Sequence, residues 1–331
     1  LWHALGSHFK DPRLRQLFGR YATYSGSSPF QAPATLMLIA HVERKGVWHV
    51  DGGMIAIAQG LAHLIEDLGG TVRTNAPVAR IETKGARTTG VTLADGEFIE
   101  ADSVIFNGDV AALADGLLGD GVRRAAPGTD RTRRSLSALA WQMVATPQGF
   151  PLSRHTVFFG PDYPAEFKAL FGGRLPFAPT VYVCAQDRTD EANPTLGDPD
   201  RTRPERLHLH VNAPPTGDYA PPSREDLDRC EDETFRLLAR CGLHLQDLRG
   251  ETVRTGPAEF EWLFPATGGA LYGPTTHGWK ASFARASPRT RIKGLYLTGG
   301  SVHPGAGVPM ACLSGQLAAG MWMADRASIR T

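Results

Sequence analysis

The chain has 331 residues, 42% of them hydrophobic and 21% charged, which supplies enough apolar material for substantial cores and excludes a disordered chain. Its 35 basic and 34 acidic side chains leave a formal charge of +1, so no long-range field draws it to nucleic acid. Four scattered cysteines, Cys184, Cys230, Cys241 and Cys312, form no C-x-x-C pair; this argues against a disulfide framework or structural zinc and points to a reducing cytoplasm.

Residues 1–40 carry a helical pattern in two pieces, broken by Tyr24-Ser25-Gly26-Ser27-Ser28-Pro29, and the apolar stretch 34–40 is expected to be buried. An extended segment at 46–50 then turns through Asp51-Gly52-Gly53 into a helix over 54–68. Its apolar Ile57, Leu61, Leu64, Ile65 and Leu68 predict an amphipathic helix lying on a sheet. Short runs at 71–74, 77–81, 89–93 and 98–99, with an Asp95-Gly96 turn, predict a small meander inserted before a buried strand at 103–106. Asn107-Gly108-Asp109 at that strand's end either meets a nucleotide or caps a helix over 110–118.

The charged stretch 120–134 predicts a surface connection and a domain crossing. Runs at 136–145, 155–159, 181–184 and 207–211 predict a second sheet, interrupted by an acidic, prolyl loop at 187–204. A helix over 224–238, an extended piece over 251–259, an aromatic patch at 260–265 and a glycine-rich loop at 268–274 follow. His208 and His210 share one face of a strand, as a metal pair would, but no third ligand stands at a recognisable spacing, so they read as sheet histidines and no metal is assigned.

The most informative segment is 294–310, where Leu295-Tyr296-Leu297 leads into Thr298-Gly299-Gly300-Ser301 and on through His303-Pro304-Gly305-Ala306-Gly307 to Val308-Pro309-Met310. A short strand, a glycine loop and a helix start place open N–H groups and a positive dipole end where an anionic or electron-rich ligand can approach. The same glycines also make tight turns with no ligand. The dinucleotide fingerprint G-x-G-x-x-G is absent from these residues, as are G-x-S-x-G, H-E-x-x-H and a Walker loop, so hydrolase and phosphoryl-transfer chemistry lack support. No apolar run is long enough to cross a bilayer, which leaves peripheral contact as the expected membrane interaction.

Taken together, Val47-Trp48-His49-Val50-Asp51-Gly52-Gly53-Met54, Ala76-Pro77-Val78-Ala79-Arg80-Ile81, the stretch 101–109 and the stretch 294–310 resemble, in order and spacing, the successive signatures of the carotenoid (phytoene) desaturase family of flavoproteins. Arg20-Tyr21-Ala22-Thr23-Tyr24-Ser25-Gly26-Ser27-Ser28-Pro29, Arg134-Ser135-Leu136-Ser137-Ala138 and the stretch 182–188 most resemble its 1-hydroxycarotenoid 3,4-desaturase branch. The resemblance implies a two-domain α/β oxidoreductase with a Rossmann-like FAD domain and an α+β substrate domain on a mixed sheet. It divides the chain into 1–45 and 120–285 for the substrate domain, and 46–119 and 286–331 for the FAD domain.

Family members open with a strand, a G-x-G-x-x-G turn and a helix that hold the FAD pyrophosphate. The chain has no counterpart to that section, so an incomplete chain with weak FAD retention and no activity alone is expected. By match to the family's motifs, backbone at Val78 would meet the adenine, and Gly299, Gly300 and Ser301 would lie along the pyrophosphate and ribitol. Gly307, Val308, Pro309 and Met310 would bring helix N–H groups to the flavin pyrimidine ring, with Asn107, Gly108 and Asp109 beside them. Relatives often carry Gly-Ala-Gly-Thr-His where this chain has Gly299-Gly300-Ser301-Val302-His303, which puts the contacts of Ser301 in question.

The implied reaction removes hydride and a proton from neighbouring carbons of a polyene, with His303 as the candidate base, or else a water or the flavin itself; Tyr24, Phe30, Trp141, Phe158, Trp262 and Phe264 are either tunnel walls or plain core. A carotenoid substrate would be collected from a membrane surface, near the 260–264 stretch. Other flavin oxidoreductases, such as an amine oxidase or a retinol saturase-like enzyme, and a non-catalytic binder of apolar ligands remain the alternatives.

Overall fold

The computed structural model describes residues 1–128, 130–188, 203–247, 252–281 and 284–329. The expected loop at 187–204 lies largely outside them. The amino-terminal part comprises α1 (Trp2–His8), α2 (Pro12–Gly19), two 3₁₀ turns (Arg20–Ser25 and Ala34–Met37), α3 (Leu38–Lys45) and α4 (Ile55–Asp67). Asp11 caps α2 by accepting from the Arg13 amide, with Pro12 at the first turn. Two expectations fail here: 34–40 contributes no buried residue, and α4 buries none of its side chains against the described residues, so it does not lie on a sheet. The segment 46–50, expected as a strand or an extended piece, pairs with no neighbouring strand.

The meander consists of β1 (Val78–Lys84), β2 (Arg87–Leu93) and β3 (Phe98–Glu100), antiparallel in that order. It leads to β4 (Val104–Phe106) and α5 (Val110–Ala114), shorter than the expected helix. Residues 71–74 form no strand. The connection at 120–134 is not merely superficial, since Val122 is fully buried and Arg134 nearly so.

The second sheet uses β5 (Ser137–Gly149), β6 (His155–Phe158), β7 (Val181–Ala185) and β8 (Glu205–Ala213), with α6 (Tyr163–Phe171) between β6 and β7. It continues with α7 (Arg224–Arg240), β9 (Leu243–Asp247), β10 (Val253–Thr255) and α8 (Pro257–Leu263). Strand order is β10-β5-β8-β7-β6, with β9 pairing the far end of β5, and every pairing is antiparallel. The sheet is therefore antiparallel where a mixed one was expected.

Along β8, Leu207, Leu209 and Val211 alternate with His208, His210 and Asn212. The apolar set packs with Trp141, Val181 and Val183 against Cys230, Leu237 and Leu238 of α7. Truncating Leu209, which has no solvent contact, would cost about 2–5 kcal/mol. Trp141 and Phe158 take the plain-core reading, since both belong to this cluster.

The chain closes with β11 (Leu295–Leu297) and α9 (Val308–Ile329). β11 returns to pair with β4, parallel, in the register Leu295–Val104, Tyr296–Ile105 and Leu297–Phe106. Leu295, Leu297 and Val302 share a second core with Ile81, Val110 and Leu113.

Candidate functional site

Parallel pairing of β4 and β11 brings the carboxyl ends of two distant strands together, and open α/β sheets bind ligands at such ends. The strand ends are joined directly: the Thr298 amide donates to the Phe106 carbonyl at 2.9 Å, and Thr298 Oγ1 donates to Asn107 Oδ1 at 3.0 Å. Gly299 follows with φ of 106°, and a Cβ there would stand 3.0 Å from Asn107 Oδ1. The positive φ favours glycine, and the contact would make any side chain push Asn107 aside. Its amide donates to Ser314 Oγ at 2.8 Å, which ties the loop back to α9.

Beneath the loop lies Arg285, which no motif had marked. Its guanidinium donates to the carbonyls of Gly300, Tyr272 and Pro274 at 2.7, 3.0 and 3.1 Å. Burial lowers its pKa, with the nearby Asp109 carboxylate opposing that shift. Asp109 is raised by burial against the bonds it accepts, and it caps α5 through the Ala111 amide at 2.9 Å. Ser301 is buried and its Oγ accepts from the Val110 amide at 3.2 Å. Its side chain is thus committed to α5. A cavity of about 130 Å³ opens beside Asp109, Ser301, Arg285, Arg134 and Thr267.

The remaining expected residues divide into two groups. Asn107, Gly108, Asp109 and the run 299–310 are gathered at the paired strand ends. Val78 starts β1 on the meander, half-exposed and paired with Leu93 rather than with the glycine loop. His303 is half-buried, its amide donating to the Ala286 carbonyl at 2.9 Å. Val308 is exposed, and a Cβ at Gly307 would meet nothing within 4 Å, so the start of the 22-residue α9 opens onto free space. Pro309 contributes no N–H, which leaves the amides of Val308 and Met310 as first-turn donors. These features fit the electron-rich edge of a flavin. Among the described residues no cluster of side chains could hold a metal, and His208 and His210 instead hydrogen-bond each other at 3.1 Å.

Sequence reasoning missed Arg285 because a lone arginine between Ala284 and Ala286 carries no periodicity. It missed the α6 pair Tyr163 and Glu166 for the same reason; only their lack of exposure sets them apart.

The chain is 55% identical over 326 residues to the hydroxyneurosporene desaturase of Rubrivivax gelatinosus, covering 98% of this chain and 61% of that protein. It is 47% identical over 320 residues to the hydroxyneurosporene desaturase of Cereibacter sphaeroides, covering 97% and 63%. The chain thus spans less than two thirds of these relatives' length. An oxidoreductase from Methanosarcina mazei shares the fold, with a TM-score of 0.56 at 18% identity, over 94% of this chain and 65% of that one. Residues 3–320 match the family described as flavin containing amine oxidoreductase. The chain is similar to carotenoid desaturases, and it belongs to the flavin containing amine oxidoreductase family.

Proposed function

We propose that this chain serves FAD-dependent desaturation of a carotenoid, a 1-hydroxy or methoxy carotenoid dehydrogenated at C3–C4. The carrying observation is the 55% identity to a hydroxyneurosporene desaturase across 98% of the chain. FAD, when bound, would supply hydride-accepting chemistry, so that loss of hydride from an allylic carbon and of a proton from its neighbour would lengthen the conjugation by one double bond.

The chain's own residues prepare that chemistry. Gly299 and Gly300 would give backbone approach to the pyrophosphate and ribitol, with Asn107, Gly108 and Asp109 forming the wall beside them. The α9 amides of Val308 and Met310 would hold the pyrimidine side, and backbone at Val78, on the separate meander, would hold the adenine. Arg285 fixes the Gly300 carbonyl from below. His303, half-buried in the same loop, is the proposed proton acceptor.

Assay of the full-length protein with FAD and a hydroxylated carotenoid tests this. The expected product has lost two hydrogens and absorbs at longer wavelength. Oxidation of amines with no change in any polyene would sink the proposal.

Peripheral membrane contact is part of the same reading. No helix among the described residues is long and apolar enough to cross a membrane. Trp262, Leu263 and Phe264, at the end of α8, are exposed, with Trp262 at 80%. Such rings suit the bilayer interface. Flotation with liposomes should carry the protein upward, and less so for Trp262→Ala; a wholly soluble fraction would count against it.

A further inference from the structure

The face of the second sheet turned away from α7 should be plain hydrocarbon if it only guided a polyene. Instead it carries a cross-strand polar group: Tyr182 pairs in register with His210, and His208 with Gln142 and Cys184. Gln142 Nε2 lies 2.8 Å from His208 Nδ1, and His208 Nε2 lies 3.1 Å from His210 Nδ1. The Gln142 amide donates, so His208 accepts at Nδ1 and donates at Nε2. His210 then accepts at Nδ1 and carries its proton on Nε2. Burial depresses the His210 pKa to about 3, which keeps the ring neutral.

This face is closed over by the 3₁₀ turn Arg20–Ser25 and by α6. The Arg20 guanidinium stands 5.3 Å from the Tyr182 ring centroid and 5.8 Å from that of Tyr24. Between them lies a cavity of about 10 Å³ bounded by Arg20, Thr23, Tyr163, Tyr182, His210 and Asn212. That volume admits a single oxygen atom with its hydrogen. Tyr163 is only 4% exposed, yet its Oη has no hydrogen-bond partner. A buried hydroxyl left unpaired is costly, so an orphan at the wall of an oxygen-sized polar cavity marks a place for a ligand atom.

The turn that covers the cavity is linked by packing, through Tyr272, to the glycine loop. Gly26, which ends the Arg20–Ser25 turn, packs so closely on Tyr272 that a Cβ would come within 2.8 Å of its ring. The Tyr272 carbonyl is held by the same arginine that holds Gly300.

We propose that the cavity bounded by Arg20, Tyr163, Tyr182 and His210 receives the alcohol oxygen of a hydroxylated polyene, with the apolar remainder of the chain lying outside it. This rests on the function proposed above and adds to it the residues that read the hydroxyl. A carboxylate or phosphate, with two or more oxygens, exceeds the space. An alcohol both donates and accepts, as Tyr163 Oη and the His210 Nε2–H require.

The test uses the full-length, FAD-loaded protein and two polyenes of equal length, one bearing a terminal alcohol and one a plain hydrocarbon. In the Tyr163→Phe variant, the ratio of kcat/KM for the alcohol over the hydrocarbon should fall about tenfold or more. Because Tyr163 Oη has no partner within the protein, the variant should melt at or above the parent temperature. Binding of both polyenes, followed by quenching of tryptophan fluorescence, gives a second readout that does not need turnover. A selectivity ratio within twofold of the parent in turnover and binding overturns the inference and leaves the cavity to a structural water. If the parent protein turns over neither polyene, the proposed function fails instead, and the binding ratio still decides the subsite.

Discussion

Arg285 Nη1 donates to the Gly300 carbonyl at 2.7 Å, so a buried cation holds the glycine loop in shape. Replacement by methionine would leave the carbonyls of Gly300, Tyr272 and Pro274 without their donor. At about 1–3 kcal/mol for each buried acceptor left unsatisfied, Arg285→Met should lose about 3 kcal/mol or more of stability. FAD affinity should fall at least tenfold with it. Urea unfolding and a flavin fluorescence titration read the two effects. A variant equal to the parent in both would show that the arginine does not shape the loop.

Gly299→Ala should be destabilising by about 1–3 kcal/mol, because its φ of 106° is disfavoured for any L side chain and the new methyl would crowd Asn107 Oδ1. Gly307→Ala makes a useful comparison. It carries the same backbone strain at φ of 104°, yet a Cβ there meets nothing within 4 Å. The crowding component is therefore the difference between the two melting temperatures, and equal losses would remove Asn107 from the account.

Asp218 receives two bonds from the Arg134 guanidinium, at 2.7 and 2.9 Å, and Arg134 is 7% exposed. Asp218→Asn keeps the shape but strands a buried cation, at a cost of about 3–5 kcal/mol. The double variant Asp218→Asn with Arg134→Met should recover part of that loss. Chemical denaturation of the four proteins in this cycle checks it, and strictly additive losses would contradict the pairing.

Burial pushes the Glu166 carboxyl up to about 7 from its ordinary 4.5, against a bond donated by Thr180 at 2.6 Å. The folded protein therefore holds this proton more tightly than the unfolded chain. The associated stability is complete below 4.5 and is lost as pH rises from there through 7, by an amount on the order of 3 kcal/mol. His210, depressed by burial, has the opposite sign: its contribution is present above 6.5 and is lost as pH falls toward 3. Comparing the parent with Glu166→Gln isolates the carboxyl. The variant should gain on the parent between about pH 5 and about pH 8, measured by urea midpoints. A constant difference across that range would mean that Glu166 does not titrate there.

What the residues disclosed by themselves was uneven, and for physical reasons. The segment 294–310 was legible because an apolar triplet, glycines and a helix-compatible run each have a local cause. The strands β5, β7 and β8 were legible from β-branched and alternating residues. By contrast, 257–263 was expected to be partly extended and is α8, since Pro257 sits at the first helical turn and Glu259 reaches back to the Gly256 amide at 2.8 Å. The α6 helix and β9 escaped notice because their boundaries depend on what they pack against. At the site, the glycines announced themselves, whereas Arg285 and Tyr163 act only through residues far away in sequence.

The parallel pairing of β4 with β11 has a kinetic side. Thr298 and Asn107 are 191 residues apart, and the whole antiparallel sheet lies in the interval. Closing so long a loop is entropically expensive unless the intervening chain has already collapsed. The contact between Thr298 and Asn107 is therefore expected to form late, after the antiparallel sheet has shortened the distance between β4 and β11. Damage to the core around Leu209 should then reach the glycine loop through assembly order, without any direct contact.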